Sequence, residues 1–260
     1  MLTNRDILKI AMAQSAEDIG CRAEDFLADS NVVVDLNIGP NAKKYYKQPI
    51  GCNFISYGSN VVAGVTEETS DIVKEYISKF EFYHLFETPN MHWLNERLAP
   101  KGLAVCFMAE YYLPDINRLI NLPCPYELRV LEKGEYEDLY LPEWANALCE
   151  DRKHLDVLGV GAYDGSKLIG LAGCSADAPE MWQIGVDVLP EYRRKGVASA
   201  ITSKLALEIL ERGKVPFYCT AWSNIRSVRN AVRSSLIPAW AEMTIKPLDA
   251  VNNMNSQRSG

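Results

Sequence analysis

The chain has 260 residues, 48% of them hydrophobic and 23% charged, the balance of a globular protein that can bury a sizeable core. Its net charge of −7 opposes general affinity for nucleic acid or an anionic membrane surface, and no apolar run reaches the roughly 20 residues that span a bilayer. Seven cysteines, odd in number and without CxxC spacing, point to reduced thiols in a cytoplasm and away from a disulfide framework, and the three histidines keep no spacing with them that would hold a metal.

The opening MLTNRDILKI lacks a basic region followed by an apolar stretch, so no secretory leader is expected. Thr3 and Asp6 have the spacing of a helix start. Ile7, Leu8, Ala11 and Ile19 then carry a helix over about 3–28, with Gly20 as its stop. The β-branched run at 31–36 reads as a strand, and 52–65 as a hairpin turning at Gly58-Ser59-Asn60. Thr69 is expected to cap a helix containing Ile72, Val73, Tyr76 and Ile77. Pro89 and Asn90 precede another helix at 91–98, and 103–113 reads as a buried strand. Pro123 and Pro125 end this pattern, so the boundary is placed at 122–125, between an N-terminal α/β domain over 1–122 and a second domain over 123–260.

The second half opens on an alternating strand, YELRVL at 126–131. Helical segments through about 152 are expected from Leu139, Leu141, Trp144, Ala147 and Leu148. A hairpin follows, 155–163 and 167–174 across Asp164-Gly165-Ser166, then a strand at 181–189. Val197, Ile201, Leu205 and Ile209 stripe a helix over 196–212. A strand at 215–221, a helix marked by Ile225, Val228, Val232 and Leu236, and a strand at 239–245 complete the order. The polar tail, 252–260, is expected to be disordered.

The segment VDVLPEYRRKGVA, 186–198, carries the chemistry. A strand ends at a proline, a short basic loop follows, and a glycine opens a long helix. The first N–H groups of a helix have no internal partner, and the aligned peptide dipoles make that end positive. Gly196 and Ala198 leave room for an anion to approach the backbone, while Arg193, Arg194 and Lys195 add charged donors. The pattern suits a pyrophosphate. A solvated basic run ahead of an ordinary helix would read the same way.

Arg193-x-x-Gly196-x-Ala198 resembles the pyrophosphate loop of the GNAT superfamily, the acyl-CoA-dependent N-acetyltransferases. The preceding V-x-V-x-P resembles it too, as does Asn224 after the next strand with Ser227 three positions on, and the likeness spans about 125–247. It implies an α/β (α+β) fold, a mixed twisted sheet flanked by helices. The strand at 181–189 would stand at its centre, parted at one end from 215–221. It further implies acetyl-CoA as cosubstrate, no metal, and an amine acceptor, with a homodimer allowed. Val186 and Val188 would pair with the pantetheine arm, and the Val186 N–H would polarise the thioester carbonyl. Arg193, Arg194, Lys195, Gly196, Val197, Ala198 and Ser199 would wrap the pyrophosphate, Asn224 would touch the pantetheine, and Ser227 would lie near the sulfur.

The chain departs from the family where proton transfer is concerned. The position of the usual acidic Tyr, seven residues after Asn224, is Ala231, and that of an alternative Glu, five before it, is Cys219. Ser235-Leu236 replaces the usual Gly-Phe. Asp177, Glu180 and Asp187 are therefore the candidate bases, with Glu242 near Trp240 in reserve, and Tyr218 is a candidate proton donor. Each also reads as an ordinary surface or strand residue. Residues 1–122 carry no motif of their own, only a loose echo of the second half, which reads either as a degenerate GNAT-like repeat covering the acceptor side or as the ordinary grammar of an α/β chain. An acetyltransferase, a catalytically silent acyl-CoA sensor, and an interaction module whose basic loop meets an acidic partner all remain open.

Overall fold

The computed structural model of the chain describes residues 2–44 and 49–257. Thr3 and Asp6 cap the first helix reciprocally: the Asp6 N–H donates to Thr3 Oγ1 at 3.2 Å, and the Thr3 N–H donates to Asp6 Oδ2 at 2.9 Å. That helix, α1, runs Asn4–Ile19, and Ala23–Leu27 is a separate 3-10 turn, so the expected 3–28 helix divides at Gly20. Strand β1 is Val32–Asp35, and the hairpin is β2, Cys52–Ser56, with β3, Val62–Val65. Helix α2, Glu67–Lys79, starts at Thr66 and not at Thr69. Thr69 Oγ1 is turned to the Gly51 carbonyl at 2.7 Å, and Glu67 and Glu68 supply the acidic first turn that a helix start favours. Helix α3 is Thr88–Leu98 and strand β4 is Leu103–Pro114.

Strand β5 is Glu127–Glu132. The helical segments expected up to 152 are only short 3-10 turns at Glu137–Leu139, Pro142–Trp144 and Glu150–Leu155. Pro142 blocks a longer helix, and burial of Tyr136, Trp144, Ala147 and Leu148 holds the segment in place without one. Then come β6, Asp156–Asp164; β7, Lys167–Ser175; β8, Met181–Val188; α4, Val197–Glu211; β9, Val215–Thr220; and α5, Ile225–Arg233. Strand β10, Leu236–Pro247, is longer than expected at both ends. The tail continues as helix α6, Leu248–Gln257, where disorder was expected; residues 258–260 lie outside the described part.

The chain gathers into two compact units. One comprises Ala11–Glu110 and Trp240–Gly260, the other Met1–Ile10 and Tyr111–Ala239, so β4 and β10 each supply residues to both. The units divide at 110/111 and 239/240, whereas the proline signal at 122–125 falls within the second of them. In the first unit, β1 lies parallel to β3, β2 antiparallel to β3, and β10 antiparallel to β2. Helices α2 and α3 close its core with Val73, Tyr76, Leu94 and Leu98 around Phe54.

In the second unit, β5, β6, β7 and β8 succeed one another antiparallel, β9 lies parallel to β8, and β4 follows β9. The sheet is mixed and flanked by helices, as the resemblance implied. The α4 stripe Val197, Ile201, Leu205 and Ile209 is buried at 0–1% exposure against Val160, Ile169 and Ala172. Each such side chain contributes about 1.5–3 kcal/mol on burial. The segment with Trp144 and Leu148 covers the opposite face. Strand β8 thus has α4 on one side and this irregular segment on the other. Among the described residues no helix is long and apolar enough to cross a membrane, and none of the seven cysteines forms a disulfide.

Candidate functional site

Strand β8 is paired to β7 from Gln183↔Ser175 to Val188↔Gly170. Its parallel pairing with β9 begins at Met181↔Val215 and ends at Ile184↔Tyr218. Beyond that point the two strands part, and residues 185–188 have no ladder partner on the β9 side among the described residues. The Leu189 N–H donates to Ile169 O, on the β7 side, at 3.0 Å. Peptide groups alternate in direction along a strand, so those of Val186 and Val188 face the open side. The Arg193 Nε group agrees with this, donating to Val188 O at 3.0 Å from outside the ladder. The expected fork is present, with two outward-facing peptide groups on one arm.

Past the fork, Pro190–Tyr192 forms a 3-10 turn, and Arg193 is extended. Arg194 and Gly196 both take the left-handed region, at φ 64° and 83°. Glycine is needed at 196 for that conformation, since the helix begins at the next residue and an L side chain would be strained there. A Cβ at this position would meet nothing within 4 Å, so the space beside it is open. Gly196 is also the N-cap of α4 and brings no side chain to its first N–H groups, those of Val197, Ala198 and Ser199. Ser199 Oγ turns back to Gly196 O at 3.1 Å. Arg193, Arg194 and Lys195 are all exposed, and Lys195 lies over the Tyr192 ring at 4.9 Å. The arrangement is an uncapped helix start with a cationic rim, suited to a phosphate group.

Asn224 is the N-cap of α5, its Oδ1 accepting from the Ser227 N–H at 3.3 Å. Ser227 Oγ and the Tyr218 hydroxyl meet at 2.5 Å. Tyr218 is the last β9 residue paired with β8, so this hydroxyl pair sits at the apex of the fork. Burial raises the Tyr218 phenol above its ordinary range, against the opposing hydrogen bond from Ser227, so it keeps its proton at neutral pH. Ala231 is fully buried in the core with Leu236 and Tyr218. Cys219 points to the other face, its Sγ 3.1 Å from Gln183 Nε2.

The three candidate carboxylates are not brought together. Asp177 is fully buried, paired with Arg152 and accepting from Ser175 Oγ at 2.6 Å. Glu180 pairs with Lys214 at 3.1 Å, and its carbonyl accepts from the Val215 N–H at the closed end of the β8–β9 pair. Six residues of strand separate it from Val186, about 20 Å at about 3.3 Å per residue. Asp187 does lie on the open arm, but its side chain projects to the face away from α4. There Oδ2 accepts from the Asn146 and Ala147 N–H groups at 2.8 and 2.9 Å, and Oδ1 from Asn146 Nδ2 at 2.7 Å. Gly185 makes this contact sterically feasible: a Cβ there would stand 1.8 Å from Asn146 O. Glu242 is buried in the other unit, bonded to Lys43 and to Trp240 Nε1 at 3.3 and 2.7 Å. Asp177 and Glu180 thus both sit at the closed end of β8, away from its open arm.

Sequence reasoning missed the Asn146–Asp187 clamp and the Tyr218–Ser227 contact. Forty-one residues separate the first pair, and no local pattern marks it. The second joins a strand to a helix across nine residues, and only the family-based placement of Ser227 near the reacting end hinted at it.

A family model described as GNAT acetyltransferase matches residues 109–233. Similar solved structures include a GCN5-related N-acetyltransferase from Kribbella flavida, 14% identical, covering 77% of this chain and 88% of that one, with a TM-score of 0.46. A GCN5-related N-acetyltransferase-like protein from Streptococcus suis is 21% identical over 61% of this chain and 68% of that one, with a TM-score of 0.44. An acetyltransferase from the GNAT family of Colwellia psychrerythraea is 14% identical over 61% and 62%, with a TM-score of 0.43. The chain thus spans less than two thirds of the Colwellia protein's length. No curated protein matches the chain.

Proposed function

We propose, from the GNAT acetyltransferase model that matches residues 109–233, that the chain is a member of the GNAT superfamily and transfers an acetyl group from acetyl-CoA to an amine by direct attack in a ternary complex. The observation that carries this reading is the fork at Ile184↔Tyr218, which opens directly toward an uncapped, cation-rimmed helix start. An acyl-CoA has the matching parts in the matching order: a thioester, an amide-bearing arm, and a pyrophosphate. The arm would add to β8 as a strand does, pairing with the peptide groups of Val186 and Val188. The Val186 N–H would face the thioester carbonyl as a fixed donor for the charge that develops there, a role whose loss typically costs about 2.7–4 kcal/mol. Arg193 ties the loop to Val188 O, leaving Arg194, Lys195 and the N–H groups of Gly196 to Ser199 for the phosphates.

In the transfer, the amine nitrogen forms the new bond to the carbonyl carbon and the carbon–sulfur bond breaks. The thiol is a fair leaving group, with an acidity near that of free cysteine, about 8.5. The amine proton passes to solvent, and the sulfur departs as thiolate with the Tyr218–Ser227 hydroxyl pair at the apex as its hydrogen-bond donor. Tyr218 supports Ser227 as a hydrogen-bond partner. Positioning then supplies most of the acceleration, worth up to about 7–11 kcal/mol for well-oriented groups. Residues 123–260 would carry this chemistry, and 1–122 would be a degenerate repeat of the same fold.

A catalytically silent acyl-CoA-binding protein is the second reading. It is favoured by the engagement of Asp177, Glu180 and Asp187 in other contacts and by burial of Ala231. Calorimetric titration with acetyl-CoA, followed by thiol release over a panel of small amines and peptide amino termini, separates the two. Binding with thiol release is expected. Binding without release on any amine selects the silent protein, and no binding of acetyl-CoA overturns both.

A further inference from the structure

Helix α2 ends at Lys79, and Phe80 follows in extended backbone with φ −123°. Ile77 O is met from the side by Asn31 Nδ2 at 3.2 Å. The carbonyls of Ser78 and Lys79 receive no hydrogen bond among the described residues. Open carbonyls and aligned peptide dipoles make this end of the helix negative.

Ser78, Lys79 and Phe80 line a cavity of about 350 Å³ in the unit of Ala11–Glu110 and Trp240–Gly260. Asn60, in the turn between β2 and β3, lines it too and is 1% exposed. Its Nδ2 donates to Asp25 O at 2.8 Å and to Ser30 O at 2.9 Å, which fixes the amide. Its Oδ1, on the other arm of the amide, has no donor. An amide oxygen taken out of water without a donor is costly, and a ligand N–H relieves that cost.

Asp29 and Glu81 line the cavity as exposed residues, and neither carboxylate has an ion pair or hydrogen bond among the described residues. Lys79 carries its amine over the Phe80 and Trp93 rings, 5.8 Å from each centroid, and pairs with neither carboxylate. The cavity thus gathers hydrogen-bond acceptors and negative charge, while Phe80 and Phe82 give it an apolar wall.

We propose that this cavity binds a small organic ammonium ion. Its N–H groups meet Asn60 Oδ1 and the open carbonyls of α2, Asp29 and Glu81 balance its charge, and its alkyl part lies on the phenyl rings. An ammonium brings three donors and one positive charge, and a cation is stabilised at a helix C-terminus. A divalent metal is a poorer match, because Asp29 and Glu81 belong to no group of three Asp, Glu, His or Cys side chains that could hold one. The site does not depend on the fork, which belongs to the other compact unit.

The test titrates butylammonium chloride calorimetrically into the full chain at constant chloride, as wild type and as Asp29→Asn/Glu81→Gln. Both carboxylates are exposed, so the variant should fold, which thermal melting checks; each single variant serves as a second measure. Wild type is expected to bind with a Kd of about 1–10 mM, the range of a few exposed polar contacts. The double variant should bind at least about tenfold more weakly. Tetramethylammonium, which has the charge without N–H groups, should also bind at least about tenfold more weakly to wild type. No binding of butylammonium by wild type overturns the proposal. Unchanged affinity in the folded double variant places the ligand elsewhere, the fork included, and overturns it as well. Equal affinity for tetramethylammonium, or tighter binding of calcium, refutes an N–H-donating ligand.

Discussion

Asp187 has three hydrogen-bond donors from Asn146 and Ala147 on its two oxygens, and this occupation sets what a substitution there will do. Asn at 187 is nearly isosteric, yet it keeps a single acceptor oxygen and turns an amide NH2 toward a neighbouring N–H. We expect Asp187→Asn to lower unfolding free energy by about 1–3 kcal/mol in urea, because its one amide oxygen can keep the two N–H groups on Oδ2 only as neutral bonds and its NH2 then faces the Asn146 Nδ2 donor. Acetyl-CoA should bind more weakly as β8 loses its support, while the shape of the pH profile of turnover stays the same. A base at this position would give the opposite outcome: unchanged stability and the loss of a titrating limb.

At the scale of elements, the loop between β8 and α4 holds one glycine whose replacement separates strain from function. Gly196 has φ 83° and open space where a Cβ would go, so Gly196→Ala should cost about 1–2 kcal/mol of stability through backbone conformation alone. Gly196→Glu carries a similar strain and also sets a carboxylate where phosphate oxygens would lie. Thermal melting should show similar losses for the two variants. Calorimetry should show CoA binding retained in weakened form by Gly196→Ala and abolished by Gly196→Glu. Equal CoA affinity in both variants would refute the phosphate-loop role. The 3-10 turns at 137–155 show why this region was harder to read than α4. They have the apolar residues of a helix, but Pro142 and the demand of HN groups facing Asp187 leave no uninterrupted ladder.

For the molecule as a whole, the compact unit of Ala11–Glu110 and Trp240–Gly260 encloses a charge cluster that no local segment contains. Lys43 is fully buried, with Asp18 at 2.6 Å and Glu242 at 3.3 Å. Burial by itself would push the Lys43 amine down, but the two carboxylates outweigh it and hold the amine charged above its ordinary range. A raised lysine pKa contributes stability that is complete below the unfolded value, about 10.4, and is lost as pH rises through the folded one. We expect Lys43→Met to destabilise the protein by about 3–5 kcal/mol at pH 7, since two buried carboxylates lose their counter-ion. Asp18→Leu/Lys43→Met/Glu242→Leu should recover most of that loss in urea unfolding. A single Lys43→Met variant as stable as wild type would show that the cluster does not hold this unit together.

The elements with strong periodicity were legible in the sequence: the α4 stripe, the 52–65 and 155–174 hairpins, the reciprocal Thr3–Asp6 cap, and the glycine that starts α4. Each depends on residues within a turn or two of one another, whose side chains alone decide helix, strand or cap. The position of the fork was legible through the family pattern, since V-x-V-x-P and Asn224 lie on its two arms. Tertiary structure decided the rest. It placed Asp177 and Glu180 at the closed end of β8, tied Asp187 to a turn 41 residues away, and drew Glu242 to Lys43 from 199 residues away. A carboxylate's chemistry follows from which donor it faces and how much water it keeps, and both are properties of the packed chain that residue identity leaves open.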